Sequence, residues 1–183
     1  MLKRFVLPAV AALVALLPLA SCGDSGRSNL PIACPQRGIL GEASDLTMYR
    51  PGAANDLSNM ILDARVTGID LTCRRGRGDQ PALAITVVAT IAVERGPAST
   101  QRDVTLPWFI GVSDTKQDRI LSRQAYLQNV TFPANSTRAI AGTQEIELTL
   151  PVTEARRPAD YKIWVGFMLT DEQLALNRQR GLR

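Results

Sequence analysis

From residue 60 onward, apolar and polar positions alternate with a period of two, the pattern of strands with one buried face. Met60, Leu62, Ala64 and Val66 share one parity, and Asp63 and Arg65 take the other. After Gly68 the phase slips, and Ile69, Leu71 and Cys73 carry the apolar side. A glycine at a phase slip predicts a bulge or bend. In residues 82–93, Leu83, Ile85, Val87, Ala89, Ile91 and Val93 alternate with Ala84, Thr86, Val88, Thr90 and Ala92. Both parities are apolar or small, which predicts a central strand.

Before that run, residues 38–49 predict one strand with a break, Arg50-Pro51-Gly52 a turn and residues 53–58 a loop. Beyond it, residues 104–112 predict a strand that Pro107 demotes to an edge or a kink. A turn over 113–118 leads into residues 119–132, where Ile120, Tyr126 and Val130 share a parity, and residues 133–137 end that strand. Residues 145–152 point Ile146, Leu148 and Leu150 inward. In the last strand Tyr161, Ile163, Val165, Phe167 and Leu169 share a side, and Trp164 falls opposite. Thr170 and Gln173 stand at capping-box spacing and predict a short helix to about Arg180. About seven strands with no helix between consecutive ones predict an all-β, antiparallel sandwich, immunoglobulin- or fibronectin-like in its spacing, plus that C-terminal helix. A barrel is the alternative.

The first 22 residues follow a different pattern. Lys3 and Arg4 precede an apolar run from Phe5 to Leu17, of roughly 13 residues, too short to span a bilayer. Pro18 and Leu19-Ala20-Ser21-Cys22 close it. This tetrapeptide resembles the lipobox of bacterial lipoproteins. The resemblance implies cleavage before Cys22, lipid on its sulfur and its freed amine, and stable anchoring by more than one chain. It divides the sequence into a signal peptide (1–21), a lipidated polar tether (22–33) and a sandwich domain with its helix (34–183). The implied location is the cell envelope, on the periplasmic side. Gly23 follows the cysteine and Asp24 comes one place later than the enterobacterial inner-membrane retention signal, so the outer membrane is the expectation.

Removing residues 1–21 from 183 leaves 162, enough for one domain with its own core. Lys3 and Arg4 leave with the leader, so the remainder carries 19 basic and 17 acidic residues out of 21 and 17. That balance gives no reason to expect nucleic acid. The sequence has no histidine. Imidazole-based nucleophiles and histidine metal sites are therefore excluded, no cofactor is expected, and an enzyme is disfavoured. Of the three cysteines Cys22 is claimed by lipid, which leaves Cys34 and Cys73 for a disulfide in an oxidising compartment, with reduced thiols as the alternative.

Few residues offer themselves for chemistry. Arg74, Arg75 and Arg77 form the densest positive cluster, a candidate anion contact because guanidinium forks suit phosphate oxygens; a solvated hairpin tip is the commoner explanation of such a cluster. Trp108 and Trp164 are aromatic anchors or core. Glu145 and Glu147 share a parity, which a solvent-facing strand explains without a glycosidase. Leu174 and Leu176 of the helix either pack or await a partner. The functional expectation is a structural or accessory module that binds an envelope protein. The alternative is a binder of lipid, glycan or phosphate, and a carboxylate hydrolase comes last.

Overall fold

The computed structural model describes residues 32–78 and 81–181. The leader, the lipobox with Cys22 and nearly all of the tether lie outside the described residues.

Nine strands build two sheets. The first has the order β1 (Gln36–Ile39), β9 (Tyr161–Phe167), β5 (Asp103–Asp114), β6 (Arg119–Thr131). The second runs β2 (Asp45–Tyr49), β3 (Met60–Arg75), β4 (Ala82–Arg95), with β7 (Arg138–Gly142) and β8 (Ile146–Pro151) end to end along the far edge of β4. All pairings are antiparallel except that of β1 with β9. Among the described residues one α-helix, α1 (Asp171–Arg180), follows β9.

The core lies between the sheets. The odd residues of β4 from Leu83 to Val93 face Leu106, Trp108, Ile110, Ile163, Val165 and Phe167 of the first sheet, all buried. β4 is central, as its two apolar parities predict. Register in β3–β4 shifts between Val66 and Gly68, where the apolar phase slips. Cys34 and Cys73 are disulfide-bonded, with Cα atoms 5.6 Å apart.

Four sequence expectations need correction. The predicted strand over 38–49 is two strands in different sheets. A single 3-10 turn at Gly41–Ala43 buries Ala43 and carries the chain from β1 across to β2. Pro107 sits inside β5, a central strand, and neither kinks nor ends it. Its carbonyl accepts from the Met168 amide on the β9 side, so its nitrogen faces that side too. The β9 ladder stops one residue later, at Trp108–Phe167, so the missing N–H falls where no ladder bond is required. Ile120 does not share a face with Tyr126: a bulge opposite Val112 and Ser113 turns it outward, 74% exposed. β7 is an extra strand. Arg138-Ala139-Ile140-Ala141-Gly142 is short and weakly alternating, and pairing with β4 makes it a strand.

Candidate interaction surface

β6 is the edge of the first sheet. Its 13 residues pair with β5 alone among the described residues, so the opposite row of backbone N–H and C=O groups meets no strand, although the Asn129 carbonyl accepts from the Gln128 side chain. The strand holds no proline, no lysine and no acid; its only charges are Arg119 and Arg123. Natural edges usually carry more protection than that.

The outer face beside this edge is built by residues whose parity is opposite to the core. β5 contributes Phe109 and Gly111, β9 contributes Lys162, Trp164 and Gly166, and β6 contributes Arg123, Ala125 and Leu127. Glycines set the shape. A Cβ at Gly166 would come within 3.0 Å of the Phe109 ring, and one at Gly38 within 2.9 Å of the Trp164 ring. Both rings therefore lie close against the sheet. The Arg123 guanidinium stacks 4.5 Å over Phe109, and Lys162 Nζ lies 3.8 Å over Trp164. Trp164 Nε1 donates to Ser113 Oγ at 3.0 Å. Between the rings opens a cleft of ≈ 120 Å³, lined by Leu40, Phe109, Gly111, Ile120, Arg123 and Trp164. Leu40, Ile120 and Leu127 are exposed on this side of the molecule, at 41%, 74% and 66%.

This arrangement suits an extended peptide. The free edge offers main-chain hydrogen bonds, and the aromatic cleft offers a seat for one apolar side chain. Arg119 and Arg123 have no ion pair among the described residues, so acidic side chains on the incoming strand complement them.

The residues singled out in the sequence are dispersed. Arg74 bonds Glu147 on the outer face of the second sheet, and Arg75 and Arg77 are exposed at the β3–β4 turn. The Glu147 carboxyl lies below the usual range, first because Arg74 hydrogen-bonds it. Glu145 precedes β8 and Glu147 lies on it, both exposed. Trp108 is fully buried, its ring 5.1 Å from that of Tyr126, and its Nε1 has no partner among the described residues. Arg50-Pro51-Gly52 forms the expected turn, with Gly52 at φ +74°. Leu174 and Leu176 are half-buried.

The β6 edge was not legible as a site in the sequence. Pro107 drew attention to β5, whereas the edge is decided by which strand β9 joins. The nearest sequence signal was the run over 119–131 that lacks acids and carries Ile120 and Leu127.

Among the described residues no helix is long and apolar enough to cross a membrane, and no group of side chains is suited to hold a metal ion. Among the described residues the fold is mostly β, with two sheets whose pairings are antiparallel apart from β1–β9, and β6 is an edge strand beside an apolar face. No protein-family model matches this chain, and neither a curated protein nor a solved structure does.

Proposed function

We infer that this chain is a lipid-anchored lipoprotein of the cell envelope, held through Cys22 on the periplasmic side of the outer membrane. Its sandwich serves as a structural or accessory binding module and not as an enzyme. One observation carries the reading: the unpaired β6 edge beside the Phe109–Trp164 cleft, with Ile120 and Leu127 exposed. The partner is an envelope protein that donates an extended segment bearing apolar and acidic side chains. The lipobox resemblance supports the location, and the absence of histidine supports a binding role. Kinship with immunoglobulin- and fibronectin-like sandwiches is part of this reading at the level of two packed antiparallel sheets. The order β1-β9-β5-β6 departs from the A-B-E-D and C-F-G sheets of an immunoglobulin constant domain.

The test is in-cell crosslinking, with capture of the tagged, full-length protein and mass spectrometry of what accompanies it. Cys22→Ala and Leu127→Glu serve as the two comparisons. Leu127 is two-thirds exposed, so the glutamate leaves the fold intact and sets a negative charge against an acidic strand. The expected result is a partner recovered near stoichiometry, lost with Cys22→Ala and reduced at least about tenfold with Leu127→Glu, a change worth about 1.4 kcal/mol. Equal recovery with Leu127→Glu would remove the β6 edge from the account.

A further inference from the structure

The chain emerges from the tether at one particular end of the sandwich. Ile32 lines a cavity of ≈ 330 Å³ together with Arg75, Gly76, Pro81, Val152 and Pro158. Cys34, two residues on, is covalently tied to Cys73, which stands two residues before Arg75. Where the chain enters the domain, it is therefore bonded beside the arginine turn.

The two described ends of the turn approach closely at Gly76 and Ala82. The Gly76 amide donates to the Ala82 carbonyl at 2.7 Å, and a Cβ on Gly76 would meet Ala82 Cβ at the same distance, so only glycine closes it this tightly. Arg75 and Arg77 are exposed beside it, and neither forms an ion pair among the described residues. The carboxylates of this end are largely committed. Glu147 binds Arg74, Asp114 binds Arg156, and Asp160 binds Lys116. Exposed Asp118 and Glu154 sit on the other two loops of that end, and Asp79 is the turn's own acid in the sequence.

Length restricts the orientation further. Ten residues of sequence lead from Cys22 to Ile32, and such a chain reaches about 35 Å at full stretch. β4, with 14 residues, is about 46 Å long. A domain held at Cys22 therefore keeps its Cys34–Cys73 end within about 35 Å of the bilayer and brings its far end there only by tipping over.

We propose that the Cys34–Cys73 end of the sandwich faces the membrane and that Arg75 and Arg77 contact the phosphate groups of anionic lipid headgroups. The inference rests on the lipid-anchor reading above. It leaves the β6 edge pointing sideways along the membrane, open to a neighbouring protein. Guanidinium groups pair with phosphate oxygens through two parallel hydrogen bonds, and arginines near an anionic leaflet are drawn to it within a Debye length.

The test labels arginines on the full, membrane-extracted protein with an arginine-selective glyoxal reagent and reads each site by mass spectrometry. The protein is reconstituted in phosphatidylcholine vesicles, in vesicles with about a third phosphatidylglycerol, and in detergent with millimolar inorganic phosphate. Arg50 and Arg138, exposed at the opposite end, are the internal references. The expected result is labelling of Arg75 and Arg77 slowed at least fivefold on anionic vesicles only, restored by high salt, with Arg50 and Arg138 unchanged. Equal protection on both vesicle types, protection by free phosphate alone, or no protection would overturn it. The same digest reads the peptide that begins at Cys22. An unlipidated cysteine sinks the anchor and this inference together, whereas a lipidated cysteine with freely labelled Arg75 and Arg77 sinks the orientation alone.

Discussion

Cys34 and Cys73 lie 39 residues apart in sequence, and their bond ties the segment just before β1 to the end of β3. In the chain-entropy account such a cross-link stabilises by about 4 kcal/mol, because it removes conformations from the unfolded chain. Cys34→Ala with Cys73→Ala should therefore lower stability by about 3–4 kcal/mol, read from urea midpoints. A loss under about 1 kcal/mol would show that the bridge sets the position of the chain entrance without holding the fold. Gly96 is a second residue with no substitute. Its amide donates to the Ile61 carbonyl, and a Cβ there would overlap the Met60 carbonyl. Gly96→Ala should cost about 2 kcal/mol or more, and an unchanged melting temperature would contradict the close approach. The two tryptophans divide cleanly. Trp164→Phe should leave blue-shifted emission from buried Trp108 that iodide does not quench, whereas the native protein should show a quenchable fraction.

At the scale of elements, α1 is held by its side chains more than by an apolar stripe. Thr170 and Gln173 bond each other's backbone amides, closing the first turn as a capping box. Near its end, buried Asn177 donates to the carbonyls of Glu42 and Asp45 at 2.9 and 2.8 Å, and Arg178 bonds Glu42. Asn177→Ala would strand two carbonyls, at about 1–3 kcal/mol. The expected outcome is a stability loss near 2 kcal/mol with faster amide exchange confined to α1 and the start of β2. Exchange quickened throughout the sandwich would instead make the helix part of the global core. The capping box was legible because its signal is local, three residues apart. The seat of the helix was not, since Asn177 meets residues more than 130 positions away. β7 went unread for a similar reason: Arg138–Gly142 has little strand character until β4 supplies its partner. Parity alone puts Ile120 on the face of Tyr126, and the bulge that reverses it carries no glycine in β6 to mark it, as Gly68 marks the one in β3.

For the whole molecule, acid stability draws on the end that carries the β5–β6 and β8–β9 loops, where the carboxylates of Asp114 and Asp160 are buried. It draws also on exposed Glu42 and Asp56, lowered first by hydrogen bonds from Arg178 and Ser58. Asp160 is buried, and its carboxyl is held below the ordinary value of 3.8, first by the hydrogen bond from Lys116 and then by the Arg157 amide. For Asp114 burial pushes the pKa up, but the Gln117 and Lys116 amides and the charge of Arg156 outweigh it, so the net direction is down. With folded pKa values below the unfolded one, the unfolded chain binds protons first as the pH falls. The stabilisation is complete above the ordinary carboxylate range and disappears as pH drops through about 4 and below. Urea midpoints should therefore fall between about pH 5 and pH 3, and Asp114→Asn with Asp160→Asn should flatten that slope. An unchanged slope would move the acid sensitivity to other carboxylates.

By itself the sequence determined what local spacing can encode: strand periodicity, the central place of residues 82–93, the helix cap and the bulge marked by Gly68. It also pointed to Cys34 and Cys73 as partners, by leaving no other pair once Cys22 was assigned. Only the tertiary structure decided which strand is an edge. Pro107 reads as an edge residue until β9 is seen to end beside it, and β6 becomes free because β9 pairs with β5 and not with β6. Likewise the arginine turn gains a direction only when the disulfide and Ile32 set the start of the domain beside it. The physical reason is common to both. Periodicity records which face of an element is buried, whereas the neighbour of an element is fixed by long-range pairing that leaves no local trace in the chain.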